Sequence, residues 1–309
     1  MRDVIVLGSI NMDIVASCKA HPRPGETVLG DRVQFFPGGK GANQAIAAAR
    51  YLGRSLMIGS VGGDSFGDQM LDHLRSSDVD VQFVSIEKDS STGVALVTVD
   101  SNGENSIVVV PGANRFAKAP DRIPSFSRQN PPIALAQFEI PIDQIAPLFR
   151  MIVAAGGLTI LNPSPFQLPS SELLSCTSAL ILNETEFSQL VGIAIAPEPE
   201  DVIAALASNP LVVRYCIVTL GSKGCVVAEK GQEPFHVPNF PVVAIDTTGA
   251  GDCFAGTLSA CLAEGQSIRN SALRATAAAA LSVTREGAGS SMPSRAQLES
   301  FLNGLSLAE

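Results

Sequence analysis

Hydrophobic positions along the chain change period from one region to the next. Val4-Ile5-Val6-Leu7 is an unbroken apolar run of strand length. Beyond a polar turn, alternating and β-branched stretches follow at residues 14–17, 26–29 and 32–36, and again at 93–99 and 106–110. All of these read as antiparallel strands. The last two flank Asp100-Ser101-Asn102-Gly103, a turn sequence, and so predict a hairpin. Between the two β-rich regions the pattern predicts an Ala-rich helix over 41–51, a strand over 56–61 and a helix over 66–75.

From Pro132 onward, short apolar runs alternate with segments of helical period: 133–137, 142–155, 158–161, 179–182, 184–191, 202–207 and 213–219. Two long helices are then expected over 251–263 and 268–284. Such alternation predicts an α/β fold whose mostly parallel central sheet carries helices on both faces. The early strands do not fit that sheet and are expected to form a small projecting β-sheet lid, from about 13–36 and 92–110. No repeat, low-complexity tract or long linker divides residues 1–309, so one domain is expected. Val94, Leu96, Val108 and Val110 would leave the lid with exposed apolar surface, and a second copy of the chain is the simplest cover, giving a homodimer.

Composition narrows the partners. A hydrophobic share of 46% and a charged share of 17% describe an ordinary folding chain, and a net charge of −9 argues against nucleic acid or anionic lipid as a partner. No run approaches a membrane span, and the N-terminus reads as a strand rather than a signal peptide. Six scattered cysteines without a C-x-x-C pair fit reduced thiols in a cytoplasm, and His21, His73 and His236 share no metal-ligand spacing.

Candidate chemistry lies in two glycine-rich turns, each running into a helix. In Asp246-Thr247-Thr248-Gly249-Ala250-Gly251-Asp252 the glycines admit close approach of a ligand to the backbone, and the amides opening the helix make an anion hole. Asp252 in the same turn is placed to take a hydroxyl proton while those amides hold phosphoryl charge; as a plain helix cap it would not require two neighbouring glycines. The second turn, Gly38-Gly39-Lys40-Gly41-Ala42-Asn43-Gln44, adds the donors Lys40 and Asn43. Neither turn is a P-loop, since Gly41 follows Lys40, nor a dinucleotide fingerprint, since Phe254 stands where the last glycine belongs.

Both turns resemble the paired signatures of the PfkB carbohydrate kinases, in the form that the ribokinases carry. Gly8-Ser9-Ile10-Asn11-Met12-Asp13, Pro24-Gly25-Glu26-Thr27, Asn183-Glu184-Thr185-Glu186 and Thr219-Leu220-Gly221-Ser222-Lys223-Gly224 extend the resemblance over almost the whole chain. It implies ATP-dependent phosphorylation of D-ribose at the 5-hydroxyl, with Asp252 as base and Gly249, Ala250 and Gly251 as anion hole. Asn11, Met12, Asp13, Gly39, Lys40, Gly41, Ala42, Asn43 and Glu139 match the sugar site. Asn183, Thr219 to Gly224, Gly251 and Thr276 match the ATP site; Thr276 stands where ribokinases carry Asn. Asn183 and Glu186 match a position near Mg²⁺, reached through water, and Asp246, Thr248, Ser282, Arg285, Gly287 and Ser291 match a monovalent cation site, usually potassium. From the residues alone, Asn183 with Glu186 also reads as a capping box, and 219–224 as a strand-to-strand turn. Other pentoses, deoxyribose or a nucleoside as acceptor, and a non-catalytic sugar-binding regulator, are the alternative readings.

Overall fold

The computed structural model describes residues 2–121, 130–209 and 212–306. In chain order the elements are β1 (Val4–Leu7), β2 (Asn11–Cys18), β3 (Gly30–Gly38), α1 (Lys40–Leu52), β4 (Ser55–Gly62), α2 (Ser65–Ser76), β5 (Val79–Glu87), β6 (Gly93–Val99) and β7 (Asn105–Val110). They continue with β8 (Ile133–Gln137), α3 (Ile145–Ala154), β9 (Leu158–Asn162), α4 (Ser171–Ser175), β10 (Ala179–Asn183), α5 (Glu184–Val191) and α6 (Pro199–Ser208). The last are β11 (Tyr215–Thr219), β12 (Cys225–Glu229), β13 (Phe235–Val237), α7 (Ala250–Ala263), α8 (Ile268–Ser282) and α9 (Arg295–Ser306).

Among the described residues nine strands form the central sheet in the order β13-β12-β11-β10-β9-β8-β1-β4-β5, parallel except where β12 pairs antiparallel with β11 and β13. The apolar run of β1 lies between β8 and β4, with its alternate side chains in opposite cores. Val4 and Val6 belong to the core that also holds side chains of α1, α7 and α8, whereas Ile5 and Leu7 belong to the core that also holds side chains of α3, α5 and α6. A strand buried on both faces needs no polar alternation, which is why its sequence shows none.

The second sheet has the order β3-β2-β6-β7, with β2 and β6 parallel and both outer pairs antiparallel. Its strands cover Asn11–Gly38 and Gly93–Val110, close to the expected lid. Three differences from the expected elements have local causes. Residues 26–29 are not a strand: Pro24-Gly25 turns the chain, Glu26 Oε2 accepts from Arg23 N at 3.0 Å, and Leu29 is 91% exposed. Not all early strands are antiparallel, since β1 lies parallel in the main sheet and β2 pairs parallel with β6 in the lid. Finally, β5, β12, β13, α4 and α9 were not expected; β5 and β13 are the edge strands of the main sheet, where burial is one-sided and the apolar signal weak, whereas β12 lies buried between β11 and β13. Among the described residues no helix is long and apolar enough to cross a membrane.

Residues that follow or end the parallel strands gather at one edge of the sheet: Gly8 to Asn11 after β1, Gln137 and Glu139, Asn162, Asn183 and Thr219. In open α/β sheets this is where ligands bind.

Candidate active site

Both glycine-rich turns open helices at that edge. Gly249 caps α7 with φ +74°, and a Cβ there would lie 2.9 Å from Ala288 Cβ, so the position demands glycine on both counts. In the second turn of α7, Gly256 meets α1: a Cβ would fall 2.4 Å from the Gln44 carbonyl oxygen and 2.6 Å from Ala47 Cβ. This close crossing carries the first turn of α7 against the first turn of α1.

There Asp252 is buried, and both carboxylate oxygens are bound. Asn43 Nδ2 donates to Oδ2 at 3.1 Å and Gln44 Nε2 to Oδ1 at 2.9 Å. Gln44 Nε2 also donates to Asn162 Oδ1 at 3.1 Å, and Gln137 Nε2 donates to Gln44 Oε1. The amides of the α7 first turn have no helical carbonyl behind them. That of Ala250 donates instead to the Thr247 carbonyl at 3.2 Å, so the anion hole expected at 249–251 has one of its donors already engaged.

A cleft of about 830 Å³ separates the inner face of the lid from the body. Gly39, Lys40, Asn43, Glu139 and Asp252 line it from the body, Asn11 and Asp13 line it from the first residues of lid strand β2, and Val15, Val97 and Ile107 line it farther along the lid. Asn114 holds Asn11 in place, Nδ2 donating to Oδ1 at 2.6 Å while Asn114 Oδ1 accepts from Ile10 N at 2.9 Å. Glu139 accepts from Ser9 Oγ and from Lys40 N. Burial, followed by the charges of Glu139 and Asp252, pushes the Asp13 carboxyl up to about 7. Burial opposes the charge on Lys40, but Asp252, Glu139 and Glu186 together outweigh it and hold the amine above the ordinary lysine range.

A smaller cavity of about 160 Å³ adjoins the cleft, lined by Asn183, Glu186, Thr219, Gly249, Ala250 and Gly251. Lys40, Gly249 and Asp252 line both spaces, so the carboxylate and the amine stand at their junction. Asn183 and Glu186 form a complete capping box on α5, with Glu186 N donating to Asn183 Oδ1 at 2.8 Å and Asn183 N to Glu186 Oε2 at 2.9 Å.

Residues 1–295 match the family model described as pfkB family carbohydrate kinase. The chain belongs to the PfkB family. It is 37% identical to a ribokinase of Haemophilus influenzae over 97% of this chain and 98% of that one, and 32% identical to a deoxyribokinase of Salmonella typhi over 97% and 99%. Its structure is similar to that of Arabidopsis thaliana ribokinase complexed with ribose and ATP, with a TM-score of 0.88 at 33% identity, covering 98% of this chain and 99% of the other.

Within this PfkB chain, several expected site residues lie apart from both cavities. Met12 and Ala42 pack into the core, and Gly41 is buried against the backbone of Gly8. Thr276 is buried in α8; its hydroxyl donates to the Ala272 carbonyl at 2.9 Å and lies 3.7 Å from Cys225 Sγ. Lys223 Nζ pairs with Glu198 Oε1 at 2.6 Å and the Pro197 carbonyl at 3.1 Å, while Leu220 is buried and Gly221, Ser222 and Lys223 form one 3-10 turn that Gly224 closes.

Of the expected monovalent cation residues, Asp246 ties two loops together. Its Oδ1 accepts from Thr248 N and its Oδ2 from Gly287 N, each at 2.9 Å. Although burial opposes it, these bonds hold the Asp246 carboxyl below the usual range. Ser282 and Ser291 spend their hydroxyls on the carbonyls of Ala279 and Ala288, and Arg285 is exposed, so the backbone carbonyls of this loop are what remain for a cation. Among the described residues no group of three or more His, Cys, Asp or Glu could hold a metal ion.

Sequence reasoning did not assign roles to Ser9, Gln44, Asn114, Gln137 or Asn162. The signal for two of them was available: Gln137 and Asn162 are amide residues ending short, mainly apolar strands, at the edge where such sheets bind ligands.

Proposed function

We propose that this chain transfers the γ-phosphoryl group of ATP to the 5-hydroxyl of D-ribose, giving ribose 5-phosphate and ADP. The observation that carries the reading is the place of Asp252: buried, at the junction of a polar cleft and a smaller cavity, in the first turn of a helix opened by Gly249 and Gly251. Asn11, Asp13, Lys40, Asn43 and Glu139 present amide, carboxylate and ammonium groups to a polyhydroxylated sugar in the cleft, with ATP phosphates in the smaller space. Asp252 takes the proton of the 5-hydroxyl, the oxygen attacks the γ-phosphorus, and the bond to the ADP oxygen breaks; free amides of the α7 first turn and Lys40 stabilise the charge that spreads over the transferring group. Closing the lid excludes water that would otherwise accept the phosphoryl group.

Mg²⁺ arriving with ATP would neutralise phosphate charge. Glu186 lines the smaller cavity and uses only Oε2 in its capping bond, which fits contact through bound water. Carbonyls of 246–248 and 282–291 would hold potassium beside α7. Exposed Phe35, Leu96, Val108 and Val110 on the lid support a homodimer through that face, and six unpaired, buried cysteines suit the cytoplasm.

The likeness to a deoxyribokinase supports 2-deoxyribose as a second acceptor. The test is ADP release with a sugar panel, with and without potassium, for the wild type beside Asp252→Asn. Ribose should give the highest kcat/KM, potassium should raise the rate, and Asp252→Asn should lose about 10³-fold or more in kcat while still binding ribose. Comparable turnover in Asp252→Asn would reject the base, and a higher kcat/KM for deoxyribose would reassign the acceptor.

A further inference from the structure

Beneath Asp252 runs a chain of side-chain amides that no expected role covers. Gln44 and Gln137 are both 0% exposed. An ionised carboxylate only accepts hydrogen bonds, so the Gln44 amide must face Asp252 with its nitrogen. That nitrogen places its two hydrogens on Asp252 Oδ1 at 2.9 Å and Asn162 Oδ1 at 3.1 Å. Gln44 Oε1 is thereby turned toward Gln137, whose Nε2 donates to it. Rotating Gln44 by half a turn would set its oxygen against two acceptors; rotating Gln137 would set two amide oxygens against each other. Each orientation follows from the charge at the end of the chain.

The arrangement is costly for the fold. Among the described residues Gln137 Oε1 has no hydrogen-bond partner, and it crowds the chain just after β1 so closely that a Cβ on Gly8 would lie 2.1 Å from it. A buried unpaired amide oxygen costs roughly 1–3 kcal/mol, and an apolar side chain of the same shape would not incur that penalty. Stability alone therefore does not account for Gln137.

We infer that Gln44, oriented by Gln137, is a positioning residue for the base: it fixes the rotamer of Asp252 and loads Oδ1, while Asn43 loads Oδ2, so that the carboxylate meets the sugar hydroxyl in one orientation. Because Asn162 lines the smaller cavity, the same amide also ties the base to the wall on the phosphate side. The inference rests on the assignment of Asp252 as base.

The test is steady-state kinetics with ribose and ATP, alongside thermal melts, on Gln44→Met, Gln137→Met and the double variant. Gln44→Met should lower kcat about 30-fold or more, with both KM values within about threefold of the wild type. Gln137→Met should lower kcat by about three- to tenfold while its Tm stays level or rises, which a purely structural role would not produce. In the Gln44→Met background Gln137→Met should add less than about twofold, because its effect passes through Gln44. A kcat for Gln44→Met within about twofold of wild type would overturn the inference, as would a Gln137→Met effect that persists in full in the Gln44→Met background. Should Gln44→Met fail to fold, Gln44→Glu keeps the volume and the acceptor for Gln137 but sets a carboxylate against Asp252; a loss of about tenfold or more supports the inference and near-normal kcat rejects it. An inactive Asp252→Asn beside a fully active Gln44→Met rejects the positioning role alone, whereas an active Asp252→Asn removes the base and this inference together.

Discussion

Asn43 and Asp252 are 209 positions apart in the chain, yet the Nδ2 of one donates to the Oδ2 of the other at 3.1 Å inside the protein. Each belongs to a different glycine-rich turn, so this bond joins the two signatures. Its geometry depends on how closely α1 and α7 cross.

Gly256 sets that crossing. Gly256→Ala should destabilise the protein by about 1–3 kcal/mol through overpacking and lower kcat as Gln44 and Asn43 draw back from Asp252. Gly304→Ala is the control, since a Cβ there meets nothing within 4 Å, and it should be neutral or stabilising by about 0.5–1 kcal/mol. Denaturant melts and kcat for both variants check the contrast; equal stabilities would show that α1 and α7 can part without cost.

Asp13 gives a pH signature to the sugar-free protein. Its carboxyl is pushed up to about 7 from 3.8, so it binds a proton more tightly in the folded state. The resulting stability is complete below 3.8 and is lost as pH rises through about 7. Asp13→Asn should therefore lose less Tm than the wild type between about pH 4 and pH 8, and melt higher at the alkaline end, even though its affinity for ribose falls. Parallel Tm curves for the two proteins would contradict this.

Two lysines that look alike in the sequence should behave differently. Lys40 lies at the junction of both cavities among three carboxylates, and Lys40→Met should cost about 10²- to 10³-fold in kcat/KM. Lys223 is engaged by Glu198 at the surface, and Lys223→Ala should leave kcat/KM for ATP within about twofold. A large loss in Lys223→Ala would mean that the 221–224 turn rearranges around nucleotide.

Lid surface and body chemistry are separable in the same way. Val108 is 59% exposed on the outer face of the lid, opposite Leu96 of the neighbouring strand. Val108→Asp should shift the sedimentation coefficient from dimer to monomer without lowering the Tm of the body. A wild-type protein that sediments as a monomer would remove the proposed interface.

Both signature turns were legible because glycine reports backbone geometry locally: the positive φ of Gly249 and the tight approach at Gly41 leave their mark at the residue itself. The amide contacts behind Gln44 were not. Gln137 meets Gln44 across 93 positions and Asn162 meets it across 118, and although a polar residue at the end of each strand marks the ligand edge, nothing local says which residue it meets. Spacing also overstated the sugar site, since in a helix only some of Lys40 to Asn43 can face the cleft, and Gly41 and Ala42 turn inward. The 26–29 stretch had strand composition, but the turn at Pro24-Gly25 left it no partner strand.

The close passage of α1 over α7 has a consequence for how such a protein diversifies. Base, amide chain and phosphate-side turn are carried on packed helices and strand ends of the body, whereas the roof over the acceptor is a separate sheet of exposed apolar strands. Substitutions in the roof can thus reshape which alcohol is admitted, or how two copies meet, while the machinery that moves the phosphoryl group stays in register.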